Sequence, residues 1–420
     1  MNYVLKNKLL LIFFIALIFR ILFAKYSGVD QFGSDWNRYD SQSNNILVGQ
    51  FNLETSLFIT APFYSYFVAA FKYVFGKDYV PMLVGTQIIL SAISTVYLTK
   101  TAHITFDRKN ISLTCGIIYA VYPVTIYFTH TLGQESIFQS LFIVSIYFIS
   151  KFLRYQRRID LILFSILFSL ALLTKSHILL IIPFLMATIL LNKSLNFSSI
   201  SDVLISVGII FLLTLPYGVY NKMVNDVYVI SSSGQGGHFL TGHNEDVFIY
   251  IVESPPLGSA EHTRIKNMDY MILKELEPKL IGLSHAQKQA IYFNEGITWM
   301  SKNPIKAIKL FIINLRDFLM PGFNIKHHPF EKWLAAFILS APVFLFAYFE
   351  IINKSIENYK KHLPVISIFL GMLIFSVAFY TQNRFRVITL EPFYVLYACA
   401  GFVSFYEYIR SKLTRQGFTQ

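Results

Sequence analysis

The 420 residues are 54% apolar and only 14% charged, and their mean hydropathy is +0.50. Soluble proteins carry about 25% charged residues, and a water-soluble globule has no room to hide this much apolar surface, so the composition indicates an all-α polytopic membrane protein. The formal net charge of +12 does not mark a nucleic-acid binder, because much of the basic excess lies in short tracts between apolar segments.

Apolar runs near the length of a bilayer crossing, about 20 residues, begin with Leu9 to Ala24. Lys6 and Lys8 precede that run and no small-residue cleavage site follows it, so it reads as an uncleaved first helix. Further runs cover Val80–Leu98, Ile111–Phe128, Ile137–Phe152, Leu161–Thr174, His177–Leu191, Val203–Tyr220, Trp333–Ile352, Leu363–Tyr380 and Thr389–Tyr408, giving ten expected spans. The 41 Phe and 26 Tyr suit lipid-facing surfaces and interfacial belts. Cys115 and Cys399 both fall within apolar stretches, so no disulfide framework is indicated.

Short loops set the expected orientation. Lys100, Arg108 and Lys109 lie between spans two and three, and Arg154, Arg157 and Arg158 between four and five. Lys193 follows span six, Lys354, Lys360 and Lys361 follow span eight, and Arg410, Lys412 and Arg415 follow span ten. All of these fall on one face if both termini are cytoplasmic, with the chain in a plasma membrane. Ala61–Gly76 and Lys306–Met320 are apolar but interrupted by lysine or arginine. They read as amphipathic helices in the outer interface, an ordinary pair of spans being the alternative. The expected organisation is a transmembrane catalytic module over 1–220 with a first extracytoplasmic loop at 25–79, a small helical extracytoplasmic region over 221–332, and C-terminal transmembrane helices over 333–420. No internal repeat is visible, which argues against a repeat-built transporter.

The first loop reads GSDWNRYDSQSNNILVGQF. Asp35, Tyr39 and Ser43 recur at helical spacing, with Ser34 as an expected N-cap. Asp30, Asp40 and Glu54 are further acids of this loop. An acid in a first turn also serves simply to complement the helix dipole. His130 and Glu135 lie in THTLGQES, at the outer end of span three. Lys175 stands between two apolar helices, where snorkelling alone accounts for a lysine. Arg384 and Arg386, in TQNRFRVITLEPF, are an outward basic pair near lipid headgroups, and phosphate is a natural bidentate partner for guanidinium. Glu391 offers the alternative of a structural pair with one of them. The long loop opens SSSGQGGHFLTGHNED, whose glycines indicate tight turns or a backbone close to a ligand. His238, His243 and Glu245 match no strong metal signature, and no Walker loop, HExxH helix or GxSxG elbow is present.

Taken in order, these features resemble bacterial family-39-type glycosyltransferases of the GT-C class, related to protein O-mannosyltransferases and lipid A aminoarabinose transferases. The resemblance rests on Asp35 with Tyr39, Gly49, APFYSYFVAAFKYVFG, AVYPVTIYFTHTLGQES with Pro123 and Glu135, LALLTKSHILLIIPF, GGHFLTGHN, NPIKAIKLF and NRFRVITLEPF. The family commonly has two adjacent acids in the first loop and a Pro pair at Ala61-Pro62, whereas here Trp36 follows Asp35. The Tyr39 spacing favours Asp35 over Asp40 as the matching acid.

The resemblance implies a GT-C-type fold and transfer of a monosaccharide from a polyprenyl-phosphate-linked donor to an acceptor hydroxyl on a glycolipid, polysaccharide or protein. This occurs at the outer face, among membrane lipids and without nucleic acid. Asp35 and Glu135 are the expected catalytic carboxylates, Asp35 taking the acceptor proton and Glu135 orienting the acceptor or Asp35. Arg384, Arg386 and Lys175 are expected at the donor phosphate, with Arg386 beside the leaving group and Arg384 tied to Glu391. Tyr39, Asp40, His130, His238 and His243 are expected around the substrate. A single base implies inversion. No cofactor is required, although a divalent metal is compatible with the chemistry. A lipid-linked sugar flippase is the rival from another class, and a noncatalytic assembly factor a third reading.

Overall fold

Each of the ten apolar runs folds as helix in the computed structural model, which describes residues 3–29, 33–50, 60–193, 196–225, 227–266, 272, 274–322, 329–354, 359–379 and 383–417. In chain order the helices are α1 (Tyr3–Ser27), α2 (Gly33–Leu47), α3 (Phe63–Phe75), α4 (Tyr79–Phe106), α5 (Lys109–Val121) and α6 (Pro123–Tyr127). Next come α7 (Glu135–Tyr155), α8 (Arg158–Leu172), α9 (Ile182–Lys193), α10 (Phe197–Asn225), α11 (Gln235–Gly242), α12 (Glu245–Phe248) and α13 (Ala260–Lys266). The chain closes with α14 (His285–Lys302), α15 (Pro304–Leu319), α16 (Phe330–Lys354), α17 (Tyr359–Ala378), α18 (Asn383–Thr389) and α19 (Glu391–Gly417). No strand occurs among the described residues. Asp30 and Glu54 of the first loop lie outside them.

Among the described residues, six stretches are long and apolar enough to cross a bilayer: Lys6–Ser27, Phe63–Phe106, Glu135–Tyr155, Phe197–Met223, Phe330–Ile352 and Tyr359–Ala378. The pair α18–α19, bent by 60°, adds a seventh if it counts as one broken span. The three remaining runs are broken or short for local reasons. Tyr122 is extended (φ −69°, ψ 112°), as a residue before proline tends to be, and Pro123 then opens α6 at a first-turn position where its missing N–H costs nothing. The 15 residues of α8 reach about 22 Å at 1.5 Å per residue, short of a bilayer core of about 30 Å. A 3₁₀ turn over Ser176–Ile181 leads into α9.

The two expected interfacial segments differ. α3 continues through a 3₁₀ turn at Gly76–Asp78 into α4 as part of the 44-residue stretch Phe63–Phe106. α15 remains separate and two-faced, burying Leu310 and Phe318 while exposing Ile305, Ile308, Phe311 and Ile312. Helix α2 begins at Gly33, so Ser34 lies inside its first turn and not ahead of it.

The core gathers around the N-terminal half of α19, where residues 391 to 400 are all buried, as expected of a helix apolar on every side. Phe138, Phe142, Phe164, Phe168 and Phe344 pack with it in one cluster. Gly401 lets α19 approach the Phe346 carbonyl of α16, the close helix crossing that small residues permit. By contrast, α1, α10 and α16 expose rows such as Leu10, Phe14 and Ile18, or Leu204, Phe211 and Leu212, as lipid-facing helices do.

Arg20 carries a charge into the interior of the bundle. Arg20 of α1 is fully buried and donates to Ser91 Oγ (2.8 Å), Thr95 Oγ1 (3.3 Å), the Ala16 carbonyl (3.0 Å) and the Ala120 carbonyl (3.1 Å). The last of these lies beside the break before Pro123, where the helix ladder leaves carbonyls without amide partners. At one end of the bundle the basic loops meet. Arg154 binds Asp107 at 2.8 and 3.0 Å, Lys361 approaches Asp107 at 3.5 Å, and Arg108 pairs with Glu407.

Candidate active site

Four segments distant in sequence bring charges together at α2, the start of α7, the α8–3₁₀ junction and α18. Arg384 Nη1 donates to Asp35 Oδ2 at 2.7 Å and lies 3.7 Å from Glu135 Oε1. Lys175 Nζ reaches Glu135 Oε1 at 2.9 Å. The Phe385 ring lies beside both cations, 4.7 Å from Lys175 Nζ and 5.6 Å from the Arg384 guanidinium. The Glu135 and Lys175 side chains are each only 3% exposed, while Asp35 and Arg384 are 24% and 21% exposed. The inner pair is sealed and the outer pair is open to a ligand.

The surrounding sequence explains this placement. Trp36 and Tyr39 of α2 are buried with Tyr64, Val68, Leu132 and Ile137, which leaves Asp35 on the helix's half-open edge. Tyr39 packs edge-on against Tyr64 at 5.0 Å. The Tyr64 hydroxyl donates to Gln87 Oε1 (3.1 Å), and Gln87 Nε2 donates to the carbonyls of Thr129 (3.1 Å) and Thr131 (3.0 Å). Gln87 thus clamps the loop that delivers Glu135 to the helix that supports Asp35. A Cβ on Gly133 would sit 2.5 Å from Glu135 Oε2, so only glycine leaves that carboxylate its space. On the other side, Gln139 Nε2 donates to the Val387 and Ile388 carbonyls, and His177 Nε2 meets Thr389 Oγ1 at 2.8 Å, fixing α18.

Burial alone would raise the Asp35 carboxyl, but the Arg384 charge and hydrogen bond, with Arg38 and Lys175 adding, hold it below the usual carboxylate range. His238 opens to solvent within a recess. Protein packed around it, then the charges of Arg38 and Arg384, hold its imidazole below the usual range. It is therefore neutral at pH 7 and faces the same charge cluster.

The expected site residues divide. Asp35, Glu135, Arg384 and Lys175 come together, with Tyr39 beneath them and His238 nearby. Asp40 does not join them: it pairs with Lys72 at 2.7 Å and accepts from the Tyr79 hydroxyl at 2.9 Å. His130 is buried against the rings of Phe23 and Tyr127, and His243 stacks on Phe239. The two arginines exchange the positions expected for them. Arg386, not Arg384, pairs with Glu391 (3.3 Å), and it donates further to the carbonyls of Asp317 (2.8 Å), Phe318 (3.4 Å), Met320 (2.6 Å) and Gly322 (3.0 Å). Buried and saturated, it caps the end of α15, whose last carbonyls lack helical partners. Glu391 in turn accepts from the Tyr122 hydroxyl at 3.1 Å.

Sequence reasoning missed Arg38. It is exposed and makes no ion pair among the described residues, yet lies close enough to act on both Asp35 and His238. Its spacing of three from Asp35, which puts both on one helix face, was the available signal. No group of three or more His, Cys, Asp or Glu among the described residues is gathered as for a metal ion. Asp35 and Glu135 are each already faced by a cation that a divalent ion would have to displace.

Comparisons with known proteins bear on this arrangement. Residues 60–220 match the dolichyl-phosphate-mannose-protein mannosyltransferase family. The archaeal oligosaccharyltransferase AglB from Archaeoglobus fulgidus, solved with an inhibitory peptide and a dolichol-phosphate, superimposes with a TM-score of 0.54 over 99% of this chain. The fold is of the GT-C type. At 12% identity the likeness to AglB is one of fold, and the chain spans about half of AglB's length (52%). No match is found among curated proteins. The family match covers α3 to most of α10, including Glu135 and Lys175, while Asp35 and Arg384 lie outside it.

Proposed function

We propose that this chain is a membrane glycosyltransferase of the GT-C class that moves a monosaccharide from a polyprenyl-phosphate donor to an acceptor hydroxyl at the extracytoplasmic face, with inversion. The observation that carries the reading is the half-open Asp35–Arg384 pair seated on the buried Glu135–Lys175 pair. Three cations, Arg38, Arg384 and Lys175, face two carboxylates there, an excess of one positive charge that suits a phosphodiester anion. The names of the matched family and of the solved neighbour's ligand both point to a dolichyl phosphate as lipid carrier.

In this reading Asp35 takes the acceptor's hydroxyl proton. The acceptor oxygen bonds to the anomeric carbon as that carbon's bond to the phosphate oxygen breaks. The polyprenyl phosphate departs as an anion, met by the Arg384 guanidinium. Arg38 adds charge at the entrance, Lys175 and Glu135 hold Arg384 and Asp35 in register, and neutral His238 offers a hydrogen bond to the sugar or acceptor. The acceptor is a glycan, a lipid or a protein.

The test uses the purified chain with a labelled polyprenyl-phosphate sugar, the matching nucleotide-sugar, and an acceptor panel. Transfer from the lipid donor alone is expected. Asp35→Asn should lower turnover about 100-fold or more, and Asp40→Asn should be far milder. Efficient transfer from the nucleotide-sugar without a lipid carrier, or the reverse ranking of the two variants, would overturn the reading.

A further inference from the structure

The motif SSSGQGG is not used by the charge cluster, yet it lines a cavity of about 450 Å³, within the range of small-molecule sites. One wall is the segment from Val227 to Gln235, the second the start of α14, and the third Ser176 and Leu179 of the 3₁₀ turn. Gly236 makes this join possible, because any Cβ there would strike the Gln289 backbone.

The cavity's chemistry is uncharged and two-sided. Among the described residues that line it there is no Asp, Glu, Lys or Arg. Its single imidazole, His285, meets the Ser233 carbonyl at 3.3 Å and is held below its usual range by burial, against that hydrogen bond and with Lys288 adding, so it is neutral at pH 7. Hydrogen-bonding capacity remains on both signs. Gln289 Oε1 accepts the Gly237 N–H at 3.1 Å, which leaves its NH₂ unspent. Gln235 donates to the Ser232 carbonyl, which leaves its Oε1. Ser232 and Ser176 share one hydrogen bond of 2.7 Å between their hydroxyls. Leu179 and Tyr228 supply apolar surface. A group that both donates and accepts many hydrogen bonds, carries no charge and has an apolar face is a saccharide ring.

The cavity is also tied to the charge cluster. Lys175 is extended (φ −145°, ψ 117°), so consecutive side chains point to opposite sides. Lys175 reaches Glu135 while Ser176 lines the cavity. We infer that this cavity binds an uncharged saccharide unit of the acceptor, next to the unit whose hydroxyl is glycosylated, an inference that rests on the proposed transferase reading for the identity of its ligand.

The test is saturation-transfer NMR on the full chain in lipid nanodiscs, with maltose, lactose and cellobiose as neutral probes and farnesol as the apolar one. At least one disaccharide should bind. Gln289→Leu and Leu179→Trp should each weaken that binding about tenfold or more, a free-energy change of about 1.4 kcal/mol. Asp35→Asn should leave it intact, and thermal unfolding should show the two cavity variants folded. No disaccharide binding, binding that survives both cavity variants, or loss of farnesol binding in their place would overturn the inference. Cleavage of the lipid donor is measured in parallel. Saccharide binding without donor cleavage would sink the transferase reading but leave the cavity a saccharide site; donor cleavage and transfer without saccharide binding would do the reverse.

Discussion

Because Arg384 holds Asp35 below the usual carboxylate range, the resting site keeps its base ionised well into acid. The sign follows from the lowered value: the pair's contribution to stability is present above the unfolded carboxyl's pKa and is lost as pH falls through the lowered one. In Arg384→Gln, burial acts on Asp35 with less opposition, so the acid limb of residual kcat/KM should move to higher pH; an unmoved limb would separate Asp35 from the profile. The inner pair predicts a stability effect. Lys175→Met leaves the buried Glu135 carboxylate with only the more distant Arg384 as cation and should cost up to about 3–5 kcal/mol of unfolding free energy, the range for broken buried ion pairs. Lys175→Met combined with Glu135→Gln should recover a large part of that loss in the same unfolding measurement. Equal damage from the single and double variants would show that the pairing is not what stabilises the site. At this scale the sequence was partly readable. Composition did not single out Asp35 among the first-loop acids; the Tyr39 spacing did, and in the structure Asp35 meets Arg384 whereas Asp40 pairs with Lys72. The exchanged positions of Arg384 and Arg386 were not readable, because two arginines two residues apart share one local pattern and differ only in distant partners.

At the scale of elements, the end of α15 and the start of the α18–α19 pair are one unit. Arg386 bonds carbonyls 64 to 69 residues upstream, so a helix with four exposed apolar side chains is fastened two residues from Arg384. Arg386→Lys keeps the charge but gives up the planar fork that spans several carbonyls. Transfer by that variant should fall while membrane insertion stays normal, and Cys placed at residue 308 should become more accessible to a water-soluble maleimide as α15 loosens. Retained activity with unchanged labelling would mean that the cap does not position the site. The amphipathic pattern of α15 could be read from spacing alone. Its cap could not, since a contact across more than sixty residues leaves no periodicity. The same holds for the apolar runs: their helical state was evident, whereas the breaks at Tyr122 and Ser176 depend on how the α5–α6 and α8–α9 segments pack.

Across the whole molecule, three of the basic clusters that suggested an orientation meet through Arg154, Lys361 and Arg108, around Asp107 and Glu407. Impermeant cysteine labelling of intact cells should reach Cys placed at residue 38 but not at residue 109. The opposite pattern would invert the proposed topology and put the charge cluster in the cytoplasm. Arg20 has a consequence for how such a molecule is assembled. α1 is synthesised before α4 and α5, and its guanidinium has only the Ala16 carbonyl within its own helix. An arginine at a helix centre costs as much as about 2.5–3.5 kcal/mol on insertion. That cost is relieved only when Ser91 and Thr95 and then Ala120 have followed it into the bilayer. α1 therefore waits, incompletely satisfied, for a hundred residues of further synthesis. The break before Pro123, which sets the path toward Glu135, is secured by a helix made a hundred residues earlier.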